Sequence, residues 1–150
     1  MIQSPRLFAL CALFVTMPAC DSAEDDPINQ VNTLVDSNVA ELDSQVAIVC
    51  DCWQDIGFES RTDCQDEVLE LGPAQVRCIK DAYAEDAETA IDYLECIVPL
   101  EREYTACIDQ RLECSDFSAG DACSDDYGVG LDTCIQLPRT ITRDLDACFD

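Results

Sequence analysis

The chain has 150 residues, with 32 Asp or Glu against 8 Lys or Arg, a formal charge of −24 and no His. A charge of that sign repels nucleic-acid phosphates and anionic lipid head groups, which excludes nucleic acid as a partner and favours cations or a basic protein partner. Twelve cysteines, with no CxxC pair and no His to share a metal, fit disulfides in an oxidising compartment better than metal clusters or free thiols.

Residues 1–19 have the layout of an export signal. Arg6 supplies the positive start, and Leu7 to Met17 form the apolar run. That run is about eleven residues, or roughly 16 Å as a helix, against a bilayer core of about 30 Å. It is too short to span stably and suits a cleaved signal. The run closes on Met17-Pro18-Ala19-Cys20. This stretch resembles the lipobox of bacterial lipoproteins, although Met17 and Pro18 differ from the usual Leu and Ala or Ser. The resemblance implies that the Cys20 thiol receives a diacylglycerol, that signal peptidase II cuts before it, and that its new amino group is acylated, commonly with a palmitate-like chain. It implies an exported protein held on a membrane by lipid and facing the periplasm or the cell surface. The alternative is an ordinary signal cut near Ala19, with Cys20 as one more disulfide cysteine.

Cysteine arithmetic bears on that choice. Cys11 leaves with the signal. With Cys20 lipidated, ten remain: Cys50, Cys52, Cys64, Cys78, Cys96, Cys107, Cys114, Cys123, Cys134 and Cys148. Ten permit five bridges, whereas eleven leave one thiol over. Residues 20–27, with the acidic run from Asp21 to Asp26, form a tether. Residues 28–150 form a single cysteine-rich helical domain.

Asp26-Pro27 reads as an N-cap and first helical residue. Ile28, Val31, Val35, Val39, Leu42, Val46, Val49, Cys50 and Trp53 then share one helical stripe, ending at Ile56-Gly57. Thr62-Asp63-Cys64-Gln65 suggests a capping box that opens a short helix to about Leu71. Gly72-Pro73 breaks it, and Val76, Ile79 and Tyr83 are spaced for another. From Asp86 to Cys114, Tyr93, Cys96, Ile97, Leu100, Tyr104, Cys107, Ile108 and Arg111 share a face across Pro99, which predicts a kinked helix or two helices in close sequence. Residues 115–130 read as loop, and Leu131, Cys134 and Ile135 as a helical turn. Pro138 opens a last helix with Ile141, Leu145, Cys148 and Phe149 inward. The fold class is therefore mostly α, a disulfide-stapled helical bundle after a cleaved signal peptide.

Cys50 and Cys52 are turned about 200° from each other on a helix, so they should reach different partners. The local pairs expected from proximity are Cys78–Cys96 and Cys114–Cys123. Two patterns suggest chemistry. Cys50-Asp51-Cys52 suggests thiol–disulfide exchange, but Asp51, Asp55 and a helix C-terminus all oppose a thiolate. The acidic 121–132 segment, with Asp121, Asp125, Asp126 and Asp132 among Gly128 and Gly130, suggests calcium, although Asp126 and Asp132 replace the Gly and Glu of an EF-hand loop. No nucleophile elbow, phosphate loop or zinc-protease motif is present, and no His is available as general base. The sequence thus points to a non-catalytic binding or structural module without a cofactor.

Overall fold

The computed structural model describes residues 26–68 and 71–149, and the expected signal, Cys11, Cys20 and most of the tether lie outside them. The described residues contain six helices: α1 (Pro27–Cys50), α2 (Arg61–Glu67), α3 (Pro73–Ala84), α4 (Ala87–Arg111), α5 (Ser118–Leu131) and α6 (Arg139–Asp146). The one β-type pairing among them is an isolated antiparallel bridge between Glu113 and Asp116. None of these helices is long and apolar enough to cross a membrane.

α1 starts as its sequence dictates. The Asp26 carboxylate accepts the Ile28 N–H at 3.0 Å, and Pro27 occupies the first turn, where its missing N–H costs nothing. The helix stops at Cys50, earlier than the stripe through Trp53 predicts, and turns carry the chain to Gly57 at φ +90°. Val31 and Val35 are buried, but Ile28, the first residue of the stripe, is 48% exposed.

α2 begins two residues before the expected box. Ser60 caps it by accepting the Asp63 N–H at 3.0 Å, while the Asp63 carboxylate accepts the Glu59 N–H. α3 opens at Gly72-Pro73, with the Gly72 N–H donated to Gln75 at 2.9 Å.

α4 is a single helix through Pro99. Pro99 is exposed, and so is Glu95, whose carbonyl loses its helical partner, so water can take the place of the lost bond. α4 is the central element. Gln30 pairs with Glu95, Glu41 with Arg102, and Gln45 with Glu101 and Thr105, so residue numbers rise together and α1 and α4 run parallel. α5 returns antiparallel on another side of α4, bridged at Cys96–Cys134 and Cys107–Cys123. Covered from two sides, α4 buries more than the single face expected. Ala90, Leu94, Val98 and Glu101 join Ile97 and Ile108 inside, while Arg111 is exposed.

The core gathers Val31 and Val35 from α1, Ile79 and Tyr83 from α3, Ala90, Leu94, Ile97 and Val98 from α4, and Ile141 from α6. Phe149, expected inward, is 53% exposed because α6 ends at Asp146, before it.

The largest departure is α5. Residues 118–131 are helical, not loop. Three glycines in one helix are unfavourable by about 1 kcal/mol each relative to Ala, so the helix must be imposed by what it packs on. Gly130 shows how close that packing is: a Cβ there would meet Leu100 Cδ2 of α4 at 2.7 Å. A Cβ at the exposed Gly128 would meet nothing within 4 Å. Gly128→Ala should therefore raise stability by about 0.5–1 kcal/mol, measured by urea unfolding with the disulfides intact. Gly57→Ala, at φ +90°, should lower it by about 1 kcal/mol or more. Equal effects of opposite sign to these would contradict the assigned backbone.

Candidate functional site

The ten cysteines of the described residues form five bridges: Cys50–Cys64, Cys52–Cys114, Cys78–Cys148, Cys96–Cys134 and Cys107–Cys123. Cα separations run from 4.9 Å for Cys52–Cys114 to 5.8 Å for the two α4–α5 bridges, all within the reach of a disulfide. The pairs expected from local proximity, Cys78–Cys96 and Cys114–Cys123, do not form. Cys78 on α3 bonds Cys148 beyond α6, and Cys114 bonds Cys52 beyond α1. In each case packing between helices distant in sequence overrides the shorter link.

Cys50 and Cys52 take separate partners, and both lie in the core, at 0% and 4% exposure. Neither sulfur is open to an attacking thiolate, and the two do not form a pair with each other.

The acidic 121–132 segment is the body of α5. A calcium loop wraps successive oxygens around one centre with a sharp turn at its middle. A helix instead spreads Asp121, Asp125, Asp126 and Asp132 along its length. Among the described residues, no group of three or more carboxylate, thiol or imidazole side chains is placed to hold a metal.

A different carboxylate stands out. Glu101 is the buried charged residue, 7% exposed, in the seam where α1, α4 and α5 meet. Gln45 Nε2 donates to Glu101 Oε2 at 2.6 Å, and the Tyr127 hydroxyl donates to Glu101 Oε1. Gln45 Nε2 also donates to Thr105 Oγ1 at 3.2 Å, while Thr105 Oγ1 donates to the Glu101 carbonyl at 2.8 Å. No buried side-chain nitrogen or oxygen among the described residues lacks a partner. Burial first, then the bond to Glu101, push the Tyr127 hydroxyl well above the usual phenol range. Tyr83 is raised in the same direction, chiefly by burial, and Tyr93 likewise.

Beside this network, α4 and α5 enclose a cleft of about 220 Å³, lined by Leu100, Glu103, Tyr104, Asp126, Tyr127 and the Cys107–Cys123 bridge. The Tyr104 and Tyr127 rings stand 5.2 Å apart, tilted by 34°. A shallower groove of about 430 Å³ lies around the stacked Tyr83 and Tyr93 and the chain after α5.

Sequence reasoning places Tyr104 on the shared helical face of residues 86–114 and Tyr127 in a loop, and does not single out Glu101. The signal for Glu101 is its spacing. Leu94, Val98, Glu101, Thr105 and Ile108 alternate steps of four and three, as do Val31, Val35, Asn38, Leu42, Gln45 and Val49 on α1. A carboxylate at such a position faces a neighbouring helix.

No family model, no curated protein and no solved structure matches this chain.

Removing the hydroxyl in Tyr127→Phe should cost about 1–3 kcal/mol in urea unfolding, since it takes a donor from a buried carboxylate. The same substitution in a Gln45→Leu background should not cost a simple sum, because both donors serve one acceptor. Tyr83, Tyr93 and Tyr127 hold their protons more tightly folded than unfolded. Their contribution is therefore intact below the unfolded phenol value of 10.0 and is lost as pH rises beyond it. Phenolate absorbance and helical circular dichroism, followed together above about pH 10, should change together. Ionisation of all the tyrosines with the helices intact would contradict this.

Proposed function

We propose that the chain is an exported lipoprotein, anchored by lipid on Cys20, whose disulfide-stapled helical domain serves as a non-catalytic binding or structural module for a basic partner. The observation that carries this reading is the closure of the cysteine set. All ten cysteines between residues 50 and 148 bond one another. Cys20 therefore has no disulfide partner left among them, and it stands where the lipobox resemblance puts an acylated residue. Five buried or half-buried bridges also need an oxidising compartment, which agrees with export.

The remaining parts of the reading follow from charge. Diacylglycerol with a further acyl chain gives stable anchoring where one chain alone does not. The acidic run from Asp21 to Asp26 stays in water and keeps the domain off the lipid surface. A domain this acidic attracts basic proteins and releases them as salt is raised.

Intact mass of the membrane-extracted protein, unreduced, should show a chain starting at residue 20, carrying acyl mass, with ten hydrogens missing for five bridges. Cys20→Ala should move the protein out of the membrane fraction without changing its far-UV circular dichroism. A mature chain with an unmodified N-terminus and a free thiol at Cys20 would overturn the anchor and leave the ordinary signal peptide in its place.

A further inference from the structure

Resting on the reading of the domain as a module for basic partners, we propose that the α4–α5 cleft lined by Tyr104 and Tyr127 binds an alkylammonium or guanidinium group, on a free amine or on a Lys or Arg side chain. Its two carboxylates alone would say no more than that the chain is acidic. The walls make the difference. Two aromatic rings, packed on each other with centroids 5.2 Å apart, together line a cleft of about 220 Å³, and Glu103 and Asp126 line the same cleft. Aromatic faces attract a cation whose charge is spread over C–H or N–H groups, and carboxylates add to that attraction.

The lining also says what is refused. It holds no Lys or Arg, so an anion meets repulsion. Glu103 and Asp126 make no ion pair among the described residues, so neither charge is already neutralised by the chain itself. A bare metal ion is poorly served: calcium needs six to eight oxygens, and no metal-holding cluster exists among the described residues. The volume admits a small head group and no large ligand.

The site is also rigid. Tyr127 is fixed by donating its hydroxyl to the buried Glu101, and the Cys107–Cys123 bridge ties α4 to α5 within the lining. A ring already held in place loses little freedom when a ligand arrives.

The test uses the purified full chain with its disulfides intact. Tetramethylammonium, and separately N-acetyl-lysine methylamide, are titrated at constant ionic strength, with sodium as the replaced ion, while the Tyr104 and Tyr127 ring protons are followed by NMR. Both probes should give saturable shifts. Tyr104→Leu should weaken each by about three- to tenfold, and Asp126→Asn, at an exposed position, should weaken them less. Circular dichroism and an unchanged bridge count establish that both variants are folded. A lysine-rich peptide that binds more tightly than free spermidine identifies a protein as the source of the cation, and equal affinities identify a free amine. Absence of saturable shifts, an unaltered affinity in both variants, or sodium competing as well as tetramethylammonium would each overturn the site. None of these results bears on the mass or the membrane partition of the chain, so the lipid anchor stands or falls separately.

Discussion

Cys96 and Cys107 lie eleven residues apart on α4, and Cys123 and Cys134 lie eleven apart along α5 and the turn that follows it. Eleven residues are three helical turns and about 20°, or roughly 16 Å of rise. Each pair therefore projects from one side of its helix at the same interval. Antiparallel approach brings both ends into bonding range at once, with Cα separations of 5.8 Å in each bridge. A slip by one turn would break both, so the two bridges define a register that neither could define alone. The positions of Gly130 against Leu100 and of Tyr127 against Glu101 both follow from that register.

The same constraint explains how α5 exists. Its sequence carries Gly120, Gly128 and Gly130 together with Asp121, Asp125 and Asp126, a poor composition for an isolated helix. Its first residue has no side-chain cap; the nearest help is Asp116, which accepts the Ser118 N–H, and hydrogen bonding from the Ser118 side chain first and then from that N–H lowers the Asp116 carboxyl below the usual range. What favours the helix is tertiary: disulfides to α4 from Cys123 within the helix and Cys134 just past its end, and a glycine where the Leu100 side chain of α4 presses against it. Every bridge typically contributes about 2–4 kcal/mol by restricting the unfolded chain. That matters in a protein of net charge −24, whose compact state is opposed by its own repulsion.

Much of this was legible in the sequence, in proportion to how local each cause was. α1 and α4 announce themselves by apolar spacing and by Asp26 and Asp86, whose carboxylates cap them. α3 and α6 are marked by Pro73 and Pro138 and by buried Ile79 and Ile141. α5 was not legible from composition, because its helix is a product of α4 rather than of its own residues. Closeness in sequence does not predict the cysteine pairing, because helix packing brings Cys78 to Cys148 and Cys52 to Cys114 across 70 and 62 residues. The matched eleven-residue intervals would have been the better guide, since they test two bridges against one geometry. Glu101 escaped for a related reason: in so acidic a chain each carboxylate looks like part of a solvated surface. Only its place in the alternating steps of four and three, opposite Gln45, distinguishes it.

That residue joins the fold to the cleft. An apolar side chain at position 101 would fill the seam between α1 and α4 without specifying how α5 lies over it. A carboxylate there must be satisfied, since a buried acceptor without donors costs about 1–3 kcal/mol or more. Gln45 supplies one donor from α1, and Tyr127 supplies the other from α5. The requirement thus fixes the rotation of α5 about its own axis, a degree of freedom that the two disulfides constrain only along one edge. Once the Tyr127 hydroxyl is committed inward, its ring stands beside Tyr104 at the rim, and Asp126, the preceding residue, is carried to the opening. The same buried bond that orders three helices therefore arranges an aromatic pair next to unpaired negative charge. That is the surface which, in our proposal, receives a cation from outside.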